Sequence, residues 1–340
     1  MQPPAFWFRD RRAPGLLPHL LAPLAQLWTA MTRRRLAKGP YERLAVPVIC
    51  VGNLSLGGAG KTPTVMALIT ELTSRGMAPH VISRGHGGRL TGPVRVDETR
   101  HTAGDVGDEP LLIAPFAPVW VARDRAAAGR AAAEAGADVI VMDDGFQNPA
   151  LARDLSIVVV DAGVGFGNGR VAPAGPLREP VPEGLARADL VMAIGAPEER
   201  ARFRKTWPEA AALPFVEAEL APLQTGMDWE GLRAFAFAGI GRPEKFFRTL
   251  RALGAEIVGT RAFDDHGVYD GRILSRLEAD ARTAGAQLVT TEKDAARLPQ
   301  DFRRNVIVLP VRLNMINRDA LDAQLDRLLT ERSLEAGKCQ

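Results

Sequence analysis

The sequence predicts an α/β protein: a P-loop NTPase-like parallel sheet domain, a second, smaller α/β domain, and an amphipathic amino-terminal helix. Three observations predict it. From residue 46 onward, short β-branched runs alternate with Ala- and Leu-rich helical stretches. A glycine-rich loop ending in Lys61-Thr62 lies between the first such run and the first helix after it. The first 43 residues carry seven Arg and Lys38 against only Asp10 and Glu42. The expected segments are 1–43, basic and membrane-facing; 44–225, the nucleotide-binding and catalytic domain; and 226–330, a second domain closing over the cleft.

Size and composition agree. A chain of 340 residues, 46% hydrophobic and 24% charged, is ample for about two domains and is not disordered, collagenous or disulfide-stapled. Cys50 and Cys339 form no framework and have no metal-ligand spacing, which suits a reducing compartment. Six Lys stand against 37 Arg, so a lysine inside a motif is informative.

Leu16 to Met31 is apolar but interrupted by Pro18, His19, Pro23 and Gln26. It is shorter than the ~20 residues of a spanning helix and lacks a secretory cleavage site. Two readings stand. One is a core helix. The other is an interfacial helix, with Phe6, Trp7, Phe8, Leu20, Leu21, Leu24, Leu27 and Trp28 in the headgroup boundary and Arg11, Arg12, Arg33, Arg34, Arg35 and Lys38 meeting anionic lipid. No stacking-aromatic or base-reading motif accompanies the charge, which argues against nucleic acid.

Strands are expected at 48–51, 80–83, 119–122, 139–142, 157–160 and 190–194, with helices at 62–75, 108–116 and 124–135. Continuous apolar strands separated by helices imply a parallel sheet covered on both faces. A polar, proline-rich stretch near 196–230 has weaker periodicity. Alternation resumes with strands at 234–238, 256–260, 287–290 and 306–309 and helices at 243–253, 270–284 and 318–331.

The strongest motif is Ser55-Leu56-Gly57-Gly58-Ala59-Gly60-Lys61-Thr62, a GGxGKT variant with Ser55 where the general pattern has its first Gly. Glycines let backbone N–H groups approach phosphate oxygens, and the following helix adds its dipole. Lys61 would reach the β/γ-phosphates of ATP, and the Thr62 hydroxyl would ligate Mg²⁺. The strand 139–142 ends in Asp143-Asp144-Gly145. Downstream of a P-loop, such a carboxylate serves the Mg²⁺ shell more readily than a simple turn. Gly163–Gly169 does not spell a dinucleotide fingerprint.

Other groups gather at presumed loops. Gly107-Asp108-Glu109-Pro110 opens a helix, where capping is the alternative role. Arg84, Arg123 and Arg125 follow strands, prolines expose Arg178 and Glu179, and His266 follows Asp265. Thr291-Glu292-Lys293-Asp294 ends a strand, where parallel sheets commonly gather ligands.

In combination these segments resemble the tetraacyldisaccharide 4′-kinase (lipid A 4′-kinase) family. The matching stretches are Val51 to Leu54 running into the P-loop and Pro63, Ser83-Arg84-Gly85, Gly107 to Pro110, Asp143 to Gln147, Gly167-Asn168-Gly169 and Pro173 to Glu179. Phe237 to Pro243, Phe246-Phe247, Asp265-His266 and Thr291 to Ala295 follow in order. Departures are His86, where the family often has Tyr, Asn148, often His, and Gly267, often a second His. The resemblance implies transfer of the ATP γ-phosphoryl to the 4′-hydroxyl of an acylated glucosamine disaccharide 1-phosphate in lipid A (lipopolysaccharide) biosynthesis. It places the protein peripherally at the cytoplasmic face of the bacterial inner membrane. It also implies that Asp108 and His266 form a catalytic pair, that Asp143, Asp144, Glu109 and Glu179 serve the metal, and that Arg125 and Arg178 serve the phosphates. From the P-loop alone, a membrane-attached ATPase switch without a small-molecule acceptor is the alternative.

Overall fold

A computed structural model describes residues 3–265 and 267–338, with side chains to residue 330. Among the described residues, thirteen strands form two sheets. The strands are β1 (Val48–Gly52), β2 (Pro79–Ser83), β3 (Val94–Arg95), β4 (Val119–Val121), β5 (Val139–Asp143), β6 (Leu155–Asp161), β7 (Leu190–Ile194), β8 (Phe215–Pro222), β9 (Arg233–Ala238), β10 (Glu256–Ala262), β11 (Gln287–Thr291), β12 (Val306–Leu309) and β13 (Val311–Met315). The large sheet has nine strands in the order β13-β8-β7-β6-β1-β5-β2-β4-β3, and the small one has four in the order β10-β9-β11-β12. Only the outermost pairs of the large sheet, β13 with β8 and β3 with β4, are antiparallel.

The apolar runs are continuous because both faces of the large sheet are covered. Val48, Cys50, Ile140, Met142, Val158 and Val160 point into one buried layer, and Ile49, Val51, Val139, Val141, Ile157 and Val159 into the other. Alternate residues of a strand face opposite sides, so a strand buried twice shows no polar alternation. β1 lies between β5 and β6, all parallel. The carboxyl ends of these three strands therefore emerge together, at the edge where parallel α/β sheets bind ligands. In the small sheet, Ala234, Ala236 and Ala238 face one core and Phe235 and Phe237 the other.

The chain returns to the large sheet at its end. β13 pairs with β8, and Leu321, Leu325 and Leu328 of the last helix (Asp319–Lys338) pack into the same layer as Ile49 and Val51. The four-stranded sheet thus draws on residues 233–309, within the stretch 226–330 expected for a second domain, whereas β13 and the last helix pack with the nine-stranded sheet. Three further elements fill the stretch near 196–230: the helices Pro197–Thr206 and Pro208–Ala211, and β8, which follows Pro214 and ends at Pro222.

The amino terminus forms helices Leu16–Leu20 and Ala22–Lys38, joined through Leu21. Pro18, Ala25 and Thr32, at seven-residue spacing, face the domain. The other face carries Leu16, Leu20, Leu24, Leu27 and Met31, each more than half exposed. Several groups expected at a lipid boundary are instead docked on the protein. Leu21 packs against the core, the Trp7 indole donates to the Pro173 carbonyl at 3.0 Å and that of Trp28 to the Arg178 carbonyl at 3.0 Å. Arg11 lies over the Trp207 ring, and Arg33 pairs with Glu183. Among the described residues no helix is long and apolar enough to cross a membrane.

Candidate active site

β1 runs into Ser55–Gly60, and the helix Lys61–Ser74 begins where a P-loop requires it. Gly60 caps that helix with φ +94°, and a Cβ there would lie 2.6 Å from Ile194 Cδ1, so only glycine fits. A neighbouring loop fixes the start of the motif. The Leu56 amide donates to the Pro176 carbonyl at 2.7 Å, and the Arg178 amide to that of Leu54 at 2.7 Å. These bonds seat Arg178 beside the phosphate loop although the two are more than a hundred residues apart in sequence.

Adjacent β5 delivers the acidic pair. Arg178 grips Asp144 through Nη1 to Oδ1 at 2.8 Å and Nη2 to Oδ2 at 3.2 Å, and Lys61 Nζ stands 3.7 Å from Asp144 Oδ1. Burial opposes the Asp144 charge, but Lys61 and Arg178 outweigh it and hold the carboxyl below the usual range. Asp144 also has φ +49°, a conformation that non-glycine residues adopt at an energetic cost and that clusters at functional sites. Asp143 is 1% exposed. Burial first, then the like charge of Glu109, push its carboxyl up to about 7. Arg125 is buried behind the pair and donates to the backbone carbonyls of Asp143 at 3.2 Å and Asp144 at 3.4 Å. It braces the acidic turn from within.

Glu179, implied as a metal ligand by the resemblance, has both oxygens engaged: Oε1 by Gln147 Nε2 at 2.8 Å, Oε2 by Arg187. The same Gln147 nitrogen reaches the Asn53 carbonyl at 2.9 Å. Glu179 therefore ties the Arg178 loop to the strand that precedes the P-loop.

Asp108 and Glu109 open the helix Asp108–Ile113, which packs on the P-loop helix. Gly107 before them has φ +93°, and a Cβ there would stand 2.7 Å from the His86 carbonyl oxygen. Facing them is the second domain. Lys293 Nζ lies 3.6 Å from Glu109 Oε1 and 3.2 Å from Asp265 Oδ1. Burial works against the Lys293 charge, but Glu109, Asp265 and Asp108 together hold it above its ordinary value. Asp161, at the end of β6, receives Arg242 Nη1 at 2.9 Å and Lys245 Nζ at 2.8 Å. The P-loop, Glu109, Asp161, Arg242 and Lys293 line one cleft of about 710 Å³ between the domains. His266, the implied partner of Asp108, lies outside the described residues. Sequence reading missed Asp161 and Arg297. Asp161 carries the same signal as Asp143, a carboxylate ending an apolar strand.

Mg²⁺ fits this site. Among the described residues, the buried side-chain polar atoms without a hydrogen-bond partner are Asn53 Oδ1, Arg125 Nε, Asp143 Oδ1 and Arg178 Nε. All four belong to the residues around the P-loop and the acidic pair. No group of three His, Cys, Asp or Glu forms a ready cage among the described residues. Mg²⁺ needs none, because it keeps waters and is held by one or two carboxylates with substrate phosphates.

Comparison with known proteins agrees with this geometry. The sequence pattern of the tetraacyldisaccharide-1-P 4′-kinase family (LpxK) matches residues 17–330. The tetraacyldisaccharide 4′-kinase of Dinoroseobacter shibae is 60% identical over 96% of this chain and 98% of its own. That of Jannaschia sp. is 52% identical over 97% and 99%. A crystal structure of LpxK from Aquifex aeolicus in complex with ATP superposes with a TM-score of 0.71 at 27% identity, covering 92% of this chain and 99% of that one. With a match across almost its whole length, a P-loop in its proper setting and an acidic pair beside it, the chain belongs to the tetraacyldisaccharide-1-P 4′-kinase family.

Proposed function

We propose how the residues of this site divide the work of the family's reaction. The protein is an ATP-dependent kinase that phosphorylates the 4′-hydroxyl of a tetraacyldisaccharide 1-phosphate, a lipid A precursor. In that transfer a bond forms from the 4′-oxygen to the γ-phosphorus, the β–γ bridging bond breaks, ADP leaves, and the hydroxyl proton must be taken up. Backbone amides of Ser55 to Thr62 and the Lys61 ammonium cradle the phosphates. Arg178 supplies a second cation to the same end of the nucleotide, its charge aimed by Asp144. Asp108, at the head of the helix packed against the P-loop helix, accepts the hydroxyl proton, with His266 as its partner. Thr62, Asp143, Asp144 and Glu109 would hold Mg²⁺, which neutralises charge on the phosphates. Lys293 closes on Glu109 from the second domain.

The observation that carries this reading is the convergence of Lys61, Asp144 and Arg178 within salt-bridge distance, with Asp108 and Glu109 on the helix packed against the P-loop helix. The exposed stripe of Leu16, Leu20, Leu24, Leu27 and Met31 supports peripheral docking on the cytoplasmic face of the inner membrane, where an acylated acceptor resides. The deciding experiment measures ATP turnover with and without purified tetraacyldisaccharide 1-phosphate. A kinase shows strong acceptor dependence and stoichiometric phosphorylated lipid. Equal turnover without acceptor would point instead to an ATPase switch.

A further inference from the structure

We propose that Arg297 is the positioning residue for Asp108, joining that carboxylate to the second-domain turn opposite it, so that domain docking completes the proton-accepting half of the site. The proposal rests on the reading of Asp108 given above.

Arg297 follows the short helix Glu292–Ala295, and its side chain is only 8% exposed. Its guanidinium is divided among several partners. Nη1 donates to the Gly267 carbonyl at 2.9 Å. Nη2 donates to the Gly239 carbonyl at 2.8 Å and to the Asp294 carboxylate. Nε donates to the Lys293 carbonyl at 3.4 Å and stands 3.7 Å from Asp108 Oδ2, across the domain boundary.

The fork is itself held rigidly. Asp294 is fully buried and also accepts from the Gly239 amide at 2.9 Å, the Tyr269 hydroxyl at 2.6 Å and the Thr291 hydroxyl at 2.6 Å. The guanidinium lies over the Tyr269 ring, 5.4 Å from its centroid. A planar cation fixed on this many sides has one orientation. Neutralising Asp294 would need only the Nη2 edge. The other edges of the fork reach two further places. One is Asp108. The other is the turn Asp264–Gly267, closed by the Gly267 amide on the Asp264 carbonyl at 2.9 Å. That turn carries position 266, which the family resemblance pairs with Asp108. One side chain thus bonds the Gly267 carbonyl of that turn and stands within ion-pair distance of Asp108, on the other side of the cleft. Asp108 is 4% exposed, so its orientation depends on neighbours and not on water. Lysine could supply the charge but not the fork.

The test compares Arg297→Met, Arg297→Lys, Asp108→Asn and the double variant Asp108→Asn/Arg297→Met, measuring kcat, KM for ATP and melting temperature. Arg297→Met should lower kcat at least ~100-fold with KM for ATP within ~3-fold, and Arg297→Lys should recover at most ~10-fold. The double variant should fall no more than ~3-fold below the worse single, because groups acting as a unit are non-additive. If Arg297→Met does not fold, Arg297→Lys and Asp108→Asn/Arg297→Lys complete the same cycle. Arg297 variants within ~3-fold of wild-type kcat, or fully multiplicative losses in the double variant, would overturn the proposal while an inactive Asp108→Asn leaves the reading of Asp108 intact. Wild-type turnover in Asp108→Asn would overturn both.

Discussion

Replacing Asp143 with Asn should stabilise the protein while abolishing phosphoryl transfer. Asp143 is buried, its Oδ1 has no hydrogen-bond partner, and its carboxyl is pushed up to about 7 from an ordinary 3.8. Since the folded value lies above the unfolded one, the folded protein holds the proton more tightly. The contribution of this group is fully present below the unfolded value and is lost as pH rises towards about 7. At pH 8 the loss corresponds to about 4 kcal/mol, and at pH 5 to between about 1 and 2 kcal/mol. Asparagine has the same shape and no charge, but its buried amide costs about 1 kcal/mol where it stays unpaired. The metal-free variant should therefore exceed wild type by roughly 1–3 kcal/mol at pH 8, with the advantage shrinking to near zero at pH 5. Urea unfolding in the presence of chelator at both pH values, followed by far-ultraviolet circular dichroism, measures this directly. A variant less stable than wild type at pH 8, or a gain that does not shrink on acidification, would refute the reasoning.

Three further outcomes follow from the same geometry. Lys61→Ala and Thr62→Ala should each lower turnover by at least ~10²-fold, because one removes a phosphate cation and the other a hydroxyl for the metal; near wild-type rates would remove the P-loop from the mechanism. Asp161→Ala deletes the carboxylate shared by Arg242 and Lys245, so limited proteolysis near residues 223–232 should speed up and KM for ATP should rise several-fold, whereas an unchanged cleavage rate would show that these contacts do not hold the domains together. Leu24→Ser/Leu27→Ser should reduce co-sedimentation with anionic vesicles and raise KM for bilayer-presented acceptor while leaving KM for ATP unchanged; equal sedimentation would sever the stripe from the membrane.

Much of the fold was legible because it is written in local pattern. The interior strands of a doubly covered sheet are apolar along their length, and each run read as a strand on that pattern formed one. The elements not foreseen lie where that rule relaxes. β13 is an edge strand, half-buried or exposed throughout, and β8 is buried only over its first part. Neither shows a continuous apolar run. The domain boundary near residue 310 was invisible for the same reason, since nothing local says that Val311–Met315 pairs with a strand some ninety residues earlier. At the site, the P-loop and the acidic pair were legible because phosphate and metal chemistry demand fixed residues at fixed spacing. Glu179 shows where that logic stops: its motif is adjacent to Arg178, yet its partners Gln147 and Arg187 come from elsewhere in the chain and decide its role.

Three of the ion pairs between the domains share one sign. Every acid named at the cleft on the first domain meets a cation from the second: Asp161 meets Arg242 and Lys245, Glu109 meets Lys293, and Asp108 meets Arg297. Lys293 divides its ammonium between Glu109 at 3.6 Å and Asp265 at 3.2 Å. Arg297 cannot turn, because its fork is fixed by Asp294 and two carbonyls. The second domain therefore brings two cations of different kind to one short helix: an ammonium shared between two acids and a guanidinium held rigid by its fork. Lys293 on the helix Glu292–Ala295 and Arg297 just after it stand four residues apart, and each faces a neighbouring acid on the helix Asp108–Ile113.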